Sequence, residues 1–192
     1  MGEPSRLVLR VALRGEDLAA ISALEVLRDE LGARDLAALS RETVWEIALD
    51  GAATEARASA RAADASAAPA SARARLAEIA RESLLFANPV KERWSLEEGA
   101  LRVPDAPPGR RIVGLLVRDR LDRAGDACAR ALETDWELRA ASVRRATLWL
   151  LDLPDEGREA TAARASALGV TTRRDRGLLL NPHYQDVGIL ID

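Results

Sequence analysis

Cysteine, histidine and lysine each occur once in this chain of 192 residues. A single thiol, Cys128, leaves no internal disulfide to form and no thiolate cage for a metal. That implies a reducing compartment. His183, the only histidine, gives a catalytic triad or a metal site one imidazole to work with. Aromatic residues are confined to four tryptophans, one tyrosine and one phenylalanine, so a core must be built mainly from leucine, valine, isoleucine and alanine. No apolar run approaches the ~18 residues of a membrane span. The opening Met1-Gly2-Glu3-Pro4-Ser5-Arg6 lacks the charged-then-apolar layout of a signal peptide. No excess of one charge is present either: 28 basic residues face 31 acidic ones, a net charge of −3. Non-specific nucleic-acid binding needs a concentrated basic field, and none is present. These absences imply a soluble, cytoplasmic protein without nucleic-acid or membrane partners.

What the chain does contain is internal likeness. Displaced by 104 positions, Arg14 falls on Arg118, Ala20 on Ala124, Ala23 on Ala127, Arg41 on Arg145, Thr43 on Thr147 and Trp45 on Trp149. Tryptophan is rare here, so two Thr-x-Trp triplets in matching contexts point to a duplicated unit. A second match closes each copy: Leu85-Phe86-Ala87-Asn88-Pro89 against Leu178-Leu179-Leu180-Asn181-Pro182. The shorter displacement of that pair is accounted for by residues 52–72, an Ala/Ser/Arg-rich insertion of low complexity. The chain thus divides into a first repeat at 1–103, a Pro-rich linker at 104–110 and a second repeat at 111–192.

Each copy yields the same order of elements. Leu7, Leu9, Val11 and Leu13 alternate with charged positions, the period of a half-buried strand. Leu18, Ile21, Leu24, Leu27 and Leu31 form a helical stripe that Gly32 can end. A second strand covers Thr43–Leu49. A second helix carries Leu76, Ile79, Ala80 and Ser83 and runs to Phe86. Asn88-Pro89 then starts a strand over Val90–Leu96. In the second copy, Arg111–Arg118 is a strand and Leu121, Ala124, Cys128 and Ala131 line a helix. Val143–Leu153 is a strand, Pro154–Leu168 a helix opened by its proline, and Val187, Ile189 and Ile191 close the copy. Two βαβαβ units predict an α+β fold, ferredoxin-like, with helices packed on antiparallel sheets as a pseudo-dimer.

Candidate chemistry is sparse. Cys128 sits on a helical apolar stripe with Leu132, as a buried structural thiol does. His183 beside Tyr184 fits a turn or an interface. Neither G-x-G-x-x-G nor G-x-x-x-x-G-K occurs, and Glu97-Glu98 and Asp155-Glu156 fall at element ends. No catalytic residue, metal or cofactor is expected.

The stretch Ala77 to Trp94, a helix ending in Leu84-Leu85-x-x-Asn88-Pro89-Val90 before a short acidic and aromatic strand, resembles the PurS family. PurS is the small subunit of phosphoribosylformylglycinamidine synthase, the purine-biosynthetic enzyme that makes formylglycinamidine ribonucleotide. The chain is similar to two PurS subunits joined end to end. The resemblance implies a noncatalytic assembly role, bridging an ATP-dependent synthetase (PurL-type) and a glutaminase (PurQ-type) for ammonia transfer. It also implies self-association into a homodimer. The interface candidates are Asn88, Pro89, Trp94, Asn181, Pro182 and Tyr184. Where the family has a Gly-Lys pair entering the second strand, this chain has Glu42-Thr43 and Ala146-Thr147. The alternative is a tandem ACT-like module sensing an amino acid, for which the strand-to-helix turns supply one glycine, Gly15.

Overall fold

The computed structural model describes residues 5–49, 71–173 and 175–192. The chain order is β1 (Ser5–Leu13), α1 (Leu18–Asp29), β2 (Ala38–Leu49), α2 (Ala72–Glu82) and β3 (Glu92–Glu98), then β4 (Arg110–Asp119), α3 (Arg123–Trp136), β5 (Ala140–Pro154), α4 (Arg158–Gly169) and β6 (Gln185–Leu190). Among the described residues this is an α+β fold of four helices and six antiparallel strands, compatible with a ferredoxin-like arrangement. The strands hydrogen-bond in the order β3-β1-β2-β5-β4-β6. In β4 and β5 the register runs from Arg110 opposite Pro154 to Arg118 opposite Ala146. On the other side of β4, Gly114 faces Leu190 and Asp119 faces Gln185. Residues 52–70, the bulk of the low-complexity stretch, lie outside the described residues.

Two compact units emerge, and each draws segments from both halves of the chain. Of the described residues, the first comprises 5–11, 44–49, 71–100 and 122–145, and the second 12–43, 101–121, 146–173 and 175–192. In the first, Leu7, Leu9 and Val11 of β1 and Trp45, Ile47 and Leu49 of β2 turn one face toward α2 and α3. Alternation places every second side chain on that face. In the second unit, Val113, Leu115 and Val117 of β4 and Trp149, Leu151 and Leu153 of β5 do the same toward α1 and α4. Burying a leucine such as Leu132 or Leu27, both fully enclosed, contributes about 1.5–3 kcal/mol.

Several element boundaries differ from those the periodicity predicts. The face that α1 buries runs through Ala20 and Leu27, with Ala23, Leu24 and Leu31 packed beside them. Leu18 and Ile21 point outward, with Leu18 71% exposed. A small residue lets the helix lie close to the sheet, so alanine replaces leucine at the contact. Asp17 caps this helix, its carboxylate accepting from the N–H groups of Ala19 and Ala20, the usual service of an N-cap carboxylate. At its other end Gly32 adopts φ 71°, which turns the chain out while the Ala33 N–H donates to the Leu27 carbonyl at 2.9 Å.

Helix α2 stops at Glu82 and does not reach Phe86. The Ser83 hydroxyl donates to the Ile79 carbonyl at 2.8 Å and accepts from the Leu85 N–H at 3.2 Å, offering the backbone a turn in place of a further helical one. The strand after it begins at Glu92, since Val90 and Lys91 are taken up by a turn. Leu121 precedes the N-cap of α3, Asp122, and is exposed; the buried positions of this helix are Gly125, Cys128 and Leu132. Helix α4 starts at Arg158, because Pro154 still belongs to β5. Its N-cap Gly157 has no side chain to offer. The Thr161 hydroxyl, fully buried, accepts the Glu156 N–H at 3.1 Å instead, and Asp155 accepts that of Gly157 at 3.0 Å. Among the described residues no helix is long and apolar enough to cross a membrane.

Candidate functional site

Two turns of the same construction follow the second helix of either half of the chain. Asn88 accepts the N–H of Val90 on its side-chain oxygen at 3.0 Å, while its own N–H donates to the Glu92 carboxylate at 2.6 Å. Its carbonyl takes the N–H groups of Lys91 and Glu92 at 3.0 and 2.7 Å. Asn181 repeats each bond. Its side-chain oxygen accepts the His183 N–H at 3.0 Å, its N–H donates to the Gln185 side-chain oxygen at 2.9 Å, and its carbonyl takes the N–H groups of Tyr184 and Gln185. Asparagine suits the first position because its short side chain mimics a turn backbone. Proline at the second has no N–H to leave unpaired.

A turn tied down by four hydrogen bonds is a rigid presenter of whatever it exposes. In the first unit it exposes Pro89 and Val90, the latter 82% exposed, with Leu84 also facing solvent nearby in sequence. In the second it exposes His183 and Tyr184, the latter 72% exposed. The Tyr184 carbonyl accepts the Arg120 N–H at 3.0 Å, which places exposed Leu121 in the adjoining segment. Arg120 also reaches Asp186 at 3.1 Å. Of the six residues singled out in the sequence, Asn88 is half-buried and Pro89 exposed, Asn181 exposed and Pro182 half-buried. Trp94 is half-buried and packs against the core of the first unit. Tyr184 offers almost its whole ring.

A second recurrent constellation sits where strand meets helix. The Arg41 guanidinium grips Asp17 with two hydrogen bonds of 2.9 and 3.0 Å and lies 5.6 Å from the centre of the Trp149 ring. The Arg145 guanidinium lies 5.8 Å from the Trp45 ring, and the Arg145 N–H donates to Asp122 at 2.6 Å. Asp122 uses its other oxygen to cap α3 at Gly125. A Cβ on Gly125 would stand 2.5 Å from the Val143 carbonyl oxygen, so the start of α3 approaches β5 as closely as a bare backbone allows. Arginine over an aromatic face gains from the ring quadrupole.

Titratable chemistry is modest. Burial pushes the Cys128 thiol up to about 12, with the negative charge of Asp122 adding to the shift; the sulfur is a core atom. The hydrogen bond from Arg111, and then that from the Gly157 N–H, hold the Asp155 carboxyl below its ordinary range. An open cleft of about 200 Å³ is lined by Val103, Asp105, Arg110, Arg111 and Asp192 among others. Its two guanidiniums are already engaged, Arg110 by Asp152 at 2.6 Å and Arg111 by Asp155 at 3.0 Å. Among the described residues, no group of three or more His, Cys, Asp or Glu side chains is placed to hold a metal ion.

No family model, curated protein or solved structure matches the chain. Sequence reasoning left out Glu92 and Gln185, the residues that close the two turns. Their signal was present: an acceptor side chain stands four positions after the asparagine in both places. It likewise missed the pairing of Asp17 and Asp122 with Arg41 and Arg145, which are more than twenty positions away.

Proposed function

We propose that this chain is a noncatalytic assembly subunit of phosphoribosylformylglycinamidine synthase. On this reading it is a tandem duplication of PurS-like units at 1–103 and 111–192, a pseudo-dimer in one chain. It joins the ATP-dependent synthetase subunit to the glutaminase subunit so that ammonia passes between them in the cytoplasm. The observation that supports the reading most is the recurrence of one turn. Asn88-Pro89 and Asn181-Pro182 carry the same hydrogen bonds at the same point in the element order. A rigid turn loses little freedom on binding, so the side chains it exposes convert efficiently into affinity. Tyr184 supplies a large amphipathic surface of the kind that anchors interfaces, and Val90 and Leu84 an apolar one.

The test is amidine formation from glutamine by a matching synthetase and glutaminase, with and without the chain. Glutamine-dependent turnover only in its presence is the expected result. Unchanged turnover with no complex formed overturns the reading. An Asn88→Ala/Asn181→Ala double variant, folded by circular dichroism, should lose partner binding by about tenfold or more, as expected when a preordered interface is loosened. Full retention of the complex would remove the turns from the interface.

A further inference from the structure

The two cores are composed across the chain, and this has an energetic consequence independent of any assembly role. The core of the first unit holds α2, from the first half of the chain, and α3, from the second. The core of the second unit holds α1 and α4, again one helix from each half. We propose that the units by which this protein opens and closes are these two mixed cores and not its two sequence halves.

Three independent features carry the inference. The largest buried side chains pair crosswise: Leu76 and Ile79 of α2 share a core with Cys128 and Leu132 of α3, and Leu27 of α1 shares one with Ala165 of α4. The polar bonds follow the same division. Arg75 of α2 donates to the Trp136 carbonyl at the end of α3 at 2.7 Å, and Asp35, after α1, pairs with Arg164 of α4. The arginine–tryptophan contacts also cross, Arg41 to Trp149 and Arg145 to Trp45. Local opening follows contiguous packing and hydrogen bonding in space. A helix therefore shares its fate with the helix it touches, and α1 and α2 are committed to different cores.

The experiment is amide hydrogen exchange of the full chain, read by mass spectrometry on peptides from α2 and from α4. In Leu132→Ala, the amides of α2 should exchange at least about tenfold faster, because removing a buried leucine leaves a cavity in the core they share. Those of α4 should change by less than about twofold. In Leu27→Ala the pattern reverses: α4 loses protection and α2 keeps it. The milder Leu132→Val and Leu27→Val variants give the same readout where an alanine prevents folding. Loss of protection that follows the halves, α4 loosening with Leu132 and α2 with Leu27, overturns the proposal. So does equal loosening of α2 and α4 in both variants, which would make the chain one cooperative body.

Discussion

Arg41 holds its guanidinium 5.6 Å from the centre of the Trp149 ring while gripping the carboxylate that caps α1. One side chain thus joins a helix start, a charge pair and an aromatic face. Its counterpart Arg145, 5.8 Å from Trp45, uses only its backbone N–H on the corresponding cap, Asp122. This difference sets a ranking. Arg41→Gln should cost about 1–2 kcal/mol, the worth of a cation–π contact together with a partly exposed ion pair. Arg145→Gln, which keeps the bond to Asp122, should cost less. Urea midpoints of the two variants check the order, and a larger loss for Arg145→Gln would refute it.

The indole nitrogen of Trp45 is buried without a hydrogen-bond partner, while its ring meets Phe86 edge-on at 5.6 Å. An unpaired buried donor is itself destabilising. Trp45→Phe removes that donor along with some volume, so the two effects oppose and the net change should stay within about 1.5 kcal/mol. Trp45→Ala has no such offset and should cost about 3–5 kcal/mol. Denaturant titration of both variants separates the two expectations.

Gly125 is pressed between its own cap and β5. Gly125→Ala places a methyl 2.5 Å from the Val143 carbonyl oxygen, a backbone atom that can move only with its strand. Gains in helix propensity from alanine, about 1 kcal/mol at most, are outweighed. The variant should melt lower than the parent by calorimetry, and an unchanged or raised midpoint would contradict this packing.

Cys128 carries a pH dependence of known sign. Its thiol is 2% exposed, and its pKa in the folded chain is raised to about 12. The unfolded chain ionises first, near the ordinary cysteine value of about 8.5. Its contribution to stability is therefore complete below that value and is lost as pH rises toward 12. Cys128→Ala should flatten the alkaline limb of a stability–pH curve, and the native thiol should resist a maleimide at neutral pH. Rapid labelling of the folded protein would contradict the burial.

Much of the architecture could be read along the chain, because strands and helices announce themselves through local periodicity. The elements of the described residues occur in the order that alternation and helical stripes predict, and the Asn-Pro punctuation falls where the turns are. The errors in the buried helical faces share one cause. A stripe says which residues are apolar, while close approach selects among them by size. Ala20 therefore displaces Leu18 from the contact of α1, and Gly125 outranks Leu121 in α3. The candidate turns were legible as asparagine and proline, but their closure by Glu92 and Gln185 shows only when the carboxylate and amide are seen to bend back.

What the amino-acid order settled by itself was local: strand, helix, the Asn-Pro turn ahead of the last strand of each half, and a core made mainly of aliphatic residues. Which helix shares a core with which was decided by tertiary structure alone. Periodicity labels a face as apolar without naming its partner, so α1 and α2, both from the first half of the chain, belong to different cores. That choice depends on side-chain volume, close backbone approach and bonds such as Arg41 to Asp17 and Arg75 to Trp136, which join residues the chain itself holds apart.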